Sequence, residues 1–176
     1  KSDCEMRGFH FAVKWFWLPL RIALGARRPR RRILGGYFAG EVAGLGKDVQ
    51  GFAVGDQVFG STQLRLGAYA EYLTVPARYP VAPKPKNVSF AEAAAMPLGG
   101  LNALHFMRLA SIRPGESVLI NGAGGSIGTH AVQIAKSMGA EVTAVDHTTK
   151  RNITRFGADH FIDYTQEDFA TQGRSY

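Results

Sequence analysis

The pattern of apolar and polar positions is clearest over residues 116–146, ESVLINGAGGSIGTHAVQIAKSMGAEVTAVD. An apolar strand is expected over 117–120, followed by a glycine-rich turn over 122–128. Ile127, Ala131, Ile134, Ala135 and Met138 then recur at helical spacing and give one apolar stripe to cover a sheet. Gly139 closes that helix as a left-handed cap, and a second strand leads to Asp146. Strand, glycine turn, helix, strand and carboxylate in this order make a nucleotide-binding βαβ unit.

The texture before this unit is different. Residues 34–75 fall into short alternating runs separated by glycine, AGEVAGLG, VGDQVFG and GAYAEYLTV, which read as strands and turns of a small barrel or sandwich. Gly55-Asp56 marks a turn, and residues 68–75 alternate as a half-buried strand would. The proline-rich stretch 76–85 reads as an extended linker. Ser89-Phe90-Ala91-Glu92 is a capping box and starts a short helix. Pro97 is expected to end it, Gly99-Gly100 to give a flexible break, and Leu101, Leu104 and His105 to begin a second helical stripe that closes near residues 113–115. His105 reads as a helix-face residue. After Asp146 come Lys150, Arg151, a short helical stretch, Gly157 and a strand over 161–164. Residues 1–34 carry little regular pattern; Trp15, Phe16, Trp17 and Leu18 beside Pro19 form an irregular aromatic plug or one wall of an apolar substrate pocket.

The chemistry of the central unit follows from what a pyrophosphate asks of a backbone. Paired phosphates are held by unpaired N–H groups at a helix N-terminus, where the helix dipole adds partial positive charge. Gly122, Gly124, Gly125 and Gly128 remove Cβ atoms where the chain turns sharply, meets the ligand and packs helix against strand. The turn GAGGSIG is one residue longer than the strict GxGxxG spacing. Asp146 stands 18 residues after Gly128, close to the ~20 at which a carboxylate accepts hydrogen bonds from an adenosine ribose.

Composition narrows the classes. With 45% apolar residues the chain is globular, and 21 Lys and Arg against 14 Asp and Glu give a net charge of +7. Such an excess suits nucleic acid, a membrane surface or an anionic cofactor. Five of the cations, Arg27, Arg28, Arg30, Arg31 and Arg32, form one run around Pro29, which reads as a solvated basic loop or a contact for an acidic ligand. No helix-turn-helix, zinc-finger spacing or aromatic-basic motif accompanies it, so no nucleic-acid partner is expected. Cys4 is the single cysteine; a disulfide framework and a multi-cysteine metal site are excluded, and a reduced, cytoplasmic compartment is expected. The apolar stretch 9–25 contains Lys14, Pro19 and Arg21 and falls short of the ~20 residues of a membrane span.

Taken together, GDQV at 55–58, GAYAEY at 67–72, EAAAMPLGGLNALHF at 92–106, the NGAGGSIG turn and GADHFIDY at 157–164 resemble the medium-chain dehydrogenase/reductase superfamily, and within it the zinc-independent quinone oxidoreductase-like branch. The order and spacing match across nearly the whole chain. The resemblance implies an α/β chain in which a GroES-like β-barrel domain, residues 1–86, partial at its start, precedes a Rossmann-type parallel sheet with its connecting helices, residues 87–176, partial at its end. It also implies a homodimer for the full-length protein.

Zinc-bearing members hold a catalytic zinc with a cysteine and with a histidine that follows the glycine aligned with Gly35. This sequence has Gly36 there, and it lacks the four-cysteine lobe of a structural zinc site, so no metal is expected. Tyr37 stands where the family usually has an acidic residue. The resemblance further implies an NAD(P)H-dependent oxidoreductase that transfers a hydride to a quinone or another conjugated carbonyl in a pocket between the domains. Enoyl-thioester or alkenal reduction is the alternative, with the arginine run as the candidate for a CoA phosphate; a non-catalytic nucleotide-binding remnant is another. Asn102 aligns with a family threonine near the nicotinamide, and no side chain stands out as a general acid. The cofactor-binding candidates are Asn102, Gly122, Gly124, Gly125, Ser126, Ile127, Gly128, Asp146, Lys150, Arg151 and Tyr164. Asp146 favours NADH, because it would bond a free 2′-hydroxyl and repel a 2′-phosphate. Lys150 and Tyr164 resemble residues that bind the 2′-phosphate, and Arg151 adds charge, which favours NADPH; a solvated helix start is the other reading of Lys150 and Arg151.

Overall fold

The computed structural model describes residues 32–171 together with Ile22, Gly25 and Tyr176. Cys4, the aromatic cluster at 15–18 and the arginine run before Arg32 lie outside the described residues. The chain separates into two compact units, with the division between Ala95 and Met96.

In the first unit, β1 (Tyr37–Glu41), β2 (Gln57–Ser61) and β3 (Val81–Pro83) form an antiparallel sheet in the order β1-β2-β3. Tyr37 faces Ser61 and Glu41 faces Gln57 in the register of the first pair, and Val58 faces Pro83 in that of the second. The expected turn at Gly55-Asp56 is present: Gly55 has φ +93°, and the Asp56 carboxylate accepts the Ala53 N–H at 2.7 Å. Gly60 is dictated by crowding, since a Cβ there would run into the Pro80 carbonyl.

Two expectations for this region are corrected. The linker at 76–85 contains β3, and Pro83 is tolerated because it ends an edge strand, where a missing N–H breaks no ladder. Conversely, residues 68–75 form no strand. Among the described residues, the Ala68 and Tyr69 N–H groups donate to the Gly35 and Leu34 carbonyls at 3.0 Å without setting up a strand pairing. Tyr72 is 80% exposed, so the apolar half of the alternation is not a buried face.

Helix α1 (Phe90–Ala110) opens with the capping box read from the sequence. The Ser89 N–H and hydroxyl both donate to the Glu92 carboxylate at 2.8 Å, and the Glu92 N–H returns to the Ser89 hydroxyl at 3.2 Å. The expected break at Pro97 and Gly99-Gly100 does not occur, and α1 continues through them. Proline inside a helix forfeits one backbone hydrogen bond and costs ~3 kcal/mol. Contacts further along α1 offset that loss. Ala103 is fully buried in the core of the second unit, and Gly99 lies so close to the next helix that a Cβ would be 2.5 Å from both His130 Nδ1 and the Ser126 carbonyl. Gly99 therefore serves close helix approach rather than flexibility. His105 is exposed on the helix face with its ring edge-on to Phe106.

The second unit is built on a parallel sheet of β4 (Ser117–Asn121), β5 (Glu141–Asp146) and β6 (His160–Asp163), in the order β4-β5-β6. Helix α2 (Ser126–Ser137) connects β4 to β5, and a 3₁₀ helix (Thr148–Phe156) connects β5 to β6. Val142, Thr143, Ala144 and Val145 of β5 are all buried, as befits a parallel strand covered on both faces. The core around it is made of small and branched side chains: Ala131, Val132 and Ala135 from α2, Ile120 from β4 and Ile153 from the 3₁₀ helix. Gly139 (φ +84°) closes the turn after α2, as expected. Among the described residues, β4 pairs only with β5 and leaves its other edge unpaired.

Candidate functional site

Parallel strands connected by helices leave their carboxyl ends and the following loops open to a ligand. At this end of the sheet the chain brings together the glycine turn after β4, the start of α2, and the loops after β5 and β6.

The turn is tight. Gly122 has φ +74° and donates its N–H to the Val145 carbonyl at 2.9 Å, while its own carbonyl accepts the Gly125 N–H at 3.0 Å. A Cβ on Gly128 would collide with the Gly122 carbonyl and lie 2.6 Å from Ala123 Cα. Only glycine lets α2 start this close to β4.

Helix α2 begins with Gly125 as its cap residue, and no side chain satisfies its first turn. The Thr129 N–H is the first to find a carbonyl, that of Gly125 at 2.9 Å. The N–H groups of Ser126, Ile127 and Gly128 are therefore the orphan donors that every helix N-terminus presents. Ser126 is exposed, and Ile127 is 40% exposed at the mouth of the turn. The expected apolar stripe is corrected accordingly: Ile127 is no part of the core, and Val132, fully buried, takes the inward place. Below the turn, His130 donates from Nδ1 to the Ser126 carbonyl at 2.8 Å, since a carbonyl oxygen can only accept.

Asp146 ends β5 beside the turn. Its Oδ2 accepts the Gly124 N–H at 2.8 Å, and its Oδ1 accepts the His147 N–H at 2.8 Å. Gly124 also faces Lys150: a Cβ on the glycine would lie 2.6 Å from Lys150 Cβ. The lysine stem thus rests on the glycine turn. Arg151, the next residue, stacks its guanidinium 5.6 Å from the centre of the Phe161 ring. Its charge is committed to an intramolecular cation–π contact. Tyr164 is half-exposed, and its ring is tilted against His147 with centroids 6.3 Å apart. Asn102 is not tied to this group: its side-chain amide donates to the Leu98 carbonyl of its own helix at 2.7 Å.

Four residues of this region, His147, Thr148, Asp163 and Thr165, were not singled out from the sequence. His147 caps the 3₁₀ helix, with Nδ1 accepting the Thr149 N–H at 3.2 Å. Asp163 accepts from both the N–H and the hydroxyl of Thr148, and from both the N–H and the hydroxyl of Thr165 at 2.9 and 2.7 Å. These donors hold its carboxyl far below the usual carboxylate range, the Thr148 hydroxyl first among them. An aspartate with threonines on both flanking loops was the available signal, but Thr148 and Asp163 meet only when β5 and β6 pair. Among the described residues no three His, Cys, Asp or Glu side chains are grouped so as to hold a metal ion. No helix among them is long and apolar enough to cross a membrane.

Comparison with known proteins agrees with this architecture. Residues 3–86 match the alcohol dehydrogenase GroES-like domain, and residues 126–175 match the zinc-binding dehydrogenase family. A quinone oxidoreductase of Pseudomonas aeruginosa is 38% identical over 140 residues, covering 78% of this chain and 42% of the relative. The chain belongs to the medium-chain dehydrogenase/reductase superfamily. Its place there is the quinone oxidoreductase-like branch. The superfamily fold is seen again in the Escherichia coli quinone oxidoreductase solved in complex with NADPH, with a TM-score of 0.69 at 32% identity, covering 86% of this chain and 48% of that one. A 2-methylene-furan-3-one reductase of Solanum lycopersicum is 38% identical over 141 residues, covering 74% of this chain and 36% of the relative. The chain spans less than half the length of these superfamily members.

Proposed function

We propose that the chain is the cofactor-holding part of an oxidoreductase that passes a hydride from NAD(P)H to a quinone or other conjugated carbonyl. The observation that carries this reading is the set of three uncommitted N–H groups at Ser126, Ile127 and Gly128, beside a glycine turn whose tightness a side chain would destroy. That cradle fits a pyrophosphate by charge and by shape. When bound, the reduced nicotinamide supplies the hydride. The chain's own residues bind and orient. Gly122, Gly124, Gly125 and Gly128 admit the phosphates to the backbone, and Asn102 serves the nicotinamide end. Asp146, Lys150 and Tyr164 serve the adenosine end, while Arg151, held on Phe161, adds only background charge there.

NADPH is the preferred form in this reading. Both Asp146 oxygens already accept backbone N–H groups, and the Lys150 stem is seated over the turn, which brings a cation to the adenosine end. The acceptor class is supported by the relatives, whose names specify quinones and a furanone bearing an exocyclic methylene. Each is an electron-poor conjugated carbonyl, for which hydride addition needs no metal. A chain with one cysteine supports a zinc-free site and a reduced, cytoplasmic setting. A small-molecule substrate, no nucleic-acid partner and a homodimeric whole protein complete the reading; the dimer rests on family resemblance alone.

Fluorescence titration of the chain with NADPH and then NADH, at low and high salt, tests this function. Saturable one-to-one binding, tighter for NADPH and weakened by salt, is expected. A folded chain that binds neither nucleotide would overturn it.

A further inference from the structure

Asp146 and Asp163 face each other across β5 and β6, as the last pair of the parallel register. Each carboxylate leaves its strand end and fastens a neighbouring loop. Asp146 ties the glycine turn, through the Gly124 N–H, to the His147 N–H. Asp163 ties the loop after β5, through Thr148, to the loop after β6, through Thr165. Two hydrogen-bonded clamps, joined by the His147–Thr148 peptide, therefore link three loops that come from separate stretches of sequence. His147 precedes Thr148, and Tyr164 precedes Thr165. The Asp163 clamp thus fastens the backbone next to each ring of this pair, whose centroids lie 6.3 Å apart. Thr148 is also the first residue of the 3₁₀ helix that carries Lys150.

We propose that Asp163 is a positioning residue for the adenosine end of the cofactor site: it fixes Tyr164 and the start of the 3₁₀ helix at one spacing and so sets the preference for a 2′-phosphate. The inference rests on the nucleotide-binding function proposed above and assigns Asp163 no contact with the cofactor. The clamp is charge-assisted, with one acceptor serving four donors. Without it, the β5–β6 ladder and the Arg151–Phe161 contact still hold the strands together, but the two threonine loops bearing the recognition side chains lose their direct tie, and Lys150 and Tyr164 no longer converge on one phosphate.

The test compares the whole chain with its Asp163→Ala and Asp163→Asn variants by titration with NADPH and with NADH. Asp163→Ala is expected to weaken NADPH about ten-fold, the scale of one charge-assisted hydrogen bond, and to leave NADH within about two-fold. Asp163→Asn keeps an acceptor for one threonine pair but turns an N–H₂ group toward the other, so its NADPH affinity should fall between the two. A clamp that only stabilises the fold would lower Tm and leave the ratio of the two affinities at the wild-type value; that result overturns the inference. If Asp163→Ala fails to fold, Thr148→Val with Thr165→Val removes both hydroxyl donors and leaves the two N–H donors, and an unchanged ratio in that variant overturns it equally. Loss of both cofactors by the wild-type chain overturns the nucleotide-binding function itself, and is thereby distinct from a wild type that binds and variants that keep its ratio.

Discussion

Gly125 and Gly128 sit three residues apart in one turn and do different work. Gly128 is closed in by backbone, so any side chain there displaces β4 from α2. Gly125 is exposed, and a Cβ on it would meet only the Gly122 carbonyl, at 3.2 Å. Gly125→Val is therefore expected to fold while placing a branched side chain across the approach to the Ser126 and Ile127 N–H groups, abolishing NADPH binding; circular dichroism checks the first point and nucleotide titration the second. Wild-type affinity in a folded variant would mean that phosphates do not dock at this turn. The glycines were legible in the sequence because a backbone requirement is written directly as a missing side chain. Arg151 was not, because its destination is Phe161 on the next strand, and the sequence holds no local mark of a stacking partner ten residues away.

Among the elements, α1 shows where local signals suffice and where they fail. Its start is set by residues within one turn of each other, and the capping box is found as read. Ser89→Ala should cost about 1 kcal/mol in a urea unfolding experiment, since both the cap oxygen and its reciprocal bond to Glu92 are lost. A change within error would show that α1 is held by its packing alone. Its continuation through Pro97 could not be read locally, because the decision lies with Ala103 in the core and with His130 against Gly99, both set by the neighbouring βαβ unit. The short β elements fail for the related reason that a strand exists only with its partner: β3 was hidden by prolines that an edge position tolerates, and residues 68–75 alternate without a ladder. The β4-α2-β5 unit was legible nearly to the residue, since its period, cap glycine and turn all lie in one uninterrupted stretch.

For the whole molecule, the response to acid is set by carboxylates that the fold keeps ionised. Three carboxylates, Glu92, Asp159 and Asp163, are held below their ordinary pKa values, by Ser89, by Lys136 and the Val142 N–H, and by Thr148 and Thr165 respectively. A depressed folded-state pKa means that the stabilisation is complete above the unfolded value, about 4 for a carboxylate, and is lost as pH falls through the folded one. Tm should therefore be level through neutral pH and decline below about pH 4. Asp159→Asn, which leaves Lys136 without its 2.8 Å partner, should flatten the decline. A wild-type Tm that does not respond to acid would show these pairs to be energetically silent.

The unpaired edge of β4 has a colloidal meaning. Val118 and Leu119 stand beside a row of N–H and C=O groups that, among the described residues, answer to no neighbour, and such a row is a template on which a further strand can pair. Between two chains of net charge +7, long-range repulsion opposes such pairing in dilute buffer. Added salt shortens the reach of that repulsion to about 10 Å at 0.1 M without touching the short-range attraction of the edge. Light scattering from the chain is therefore expected to rise with ionic strength, and scattering that stays level would show the edge to be covered.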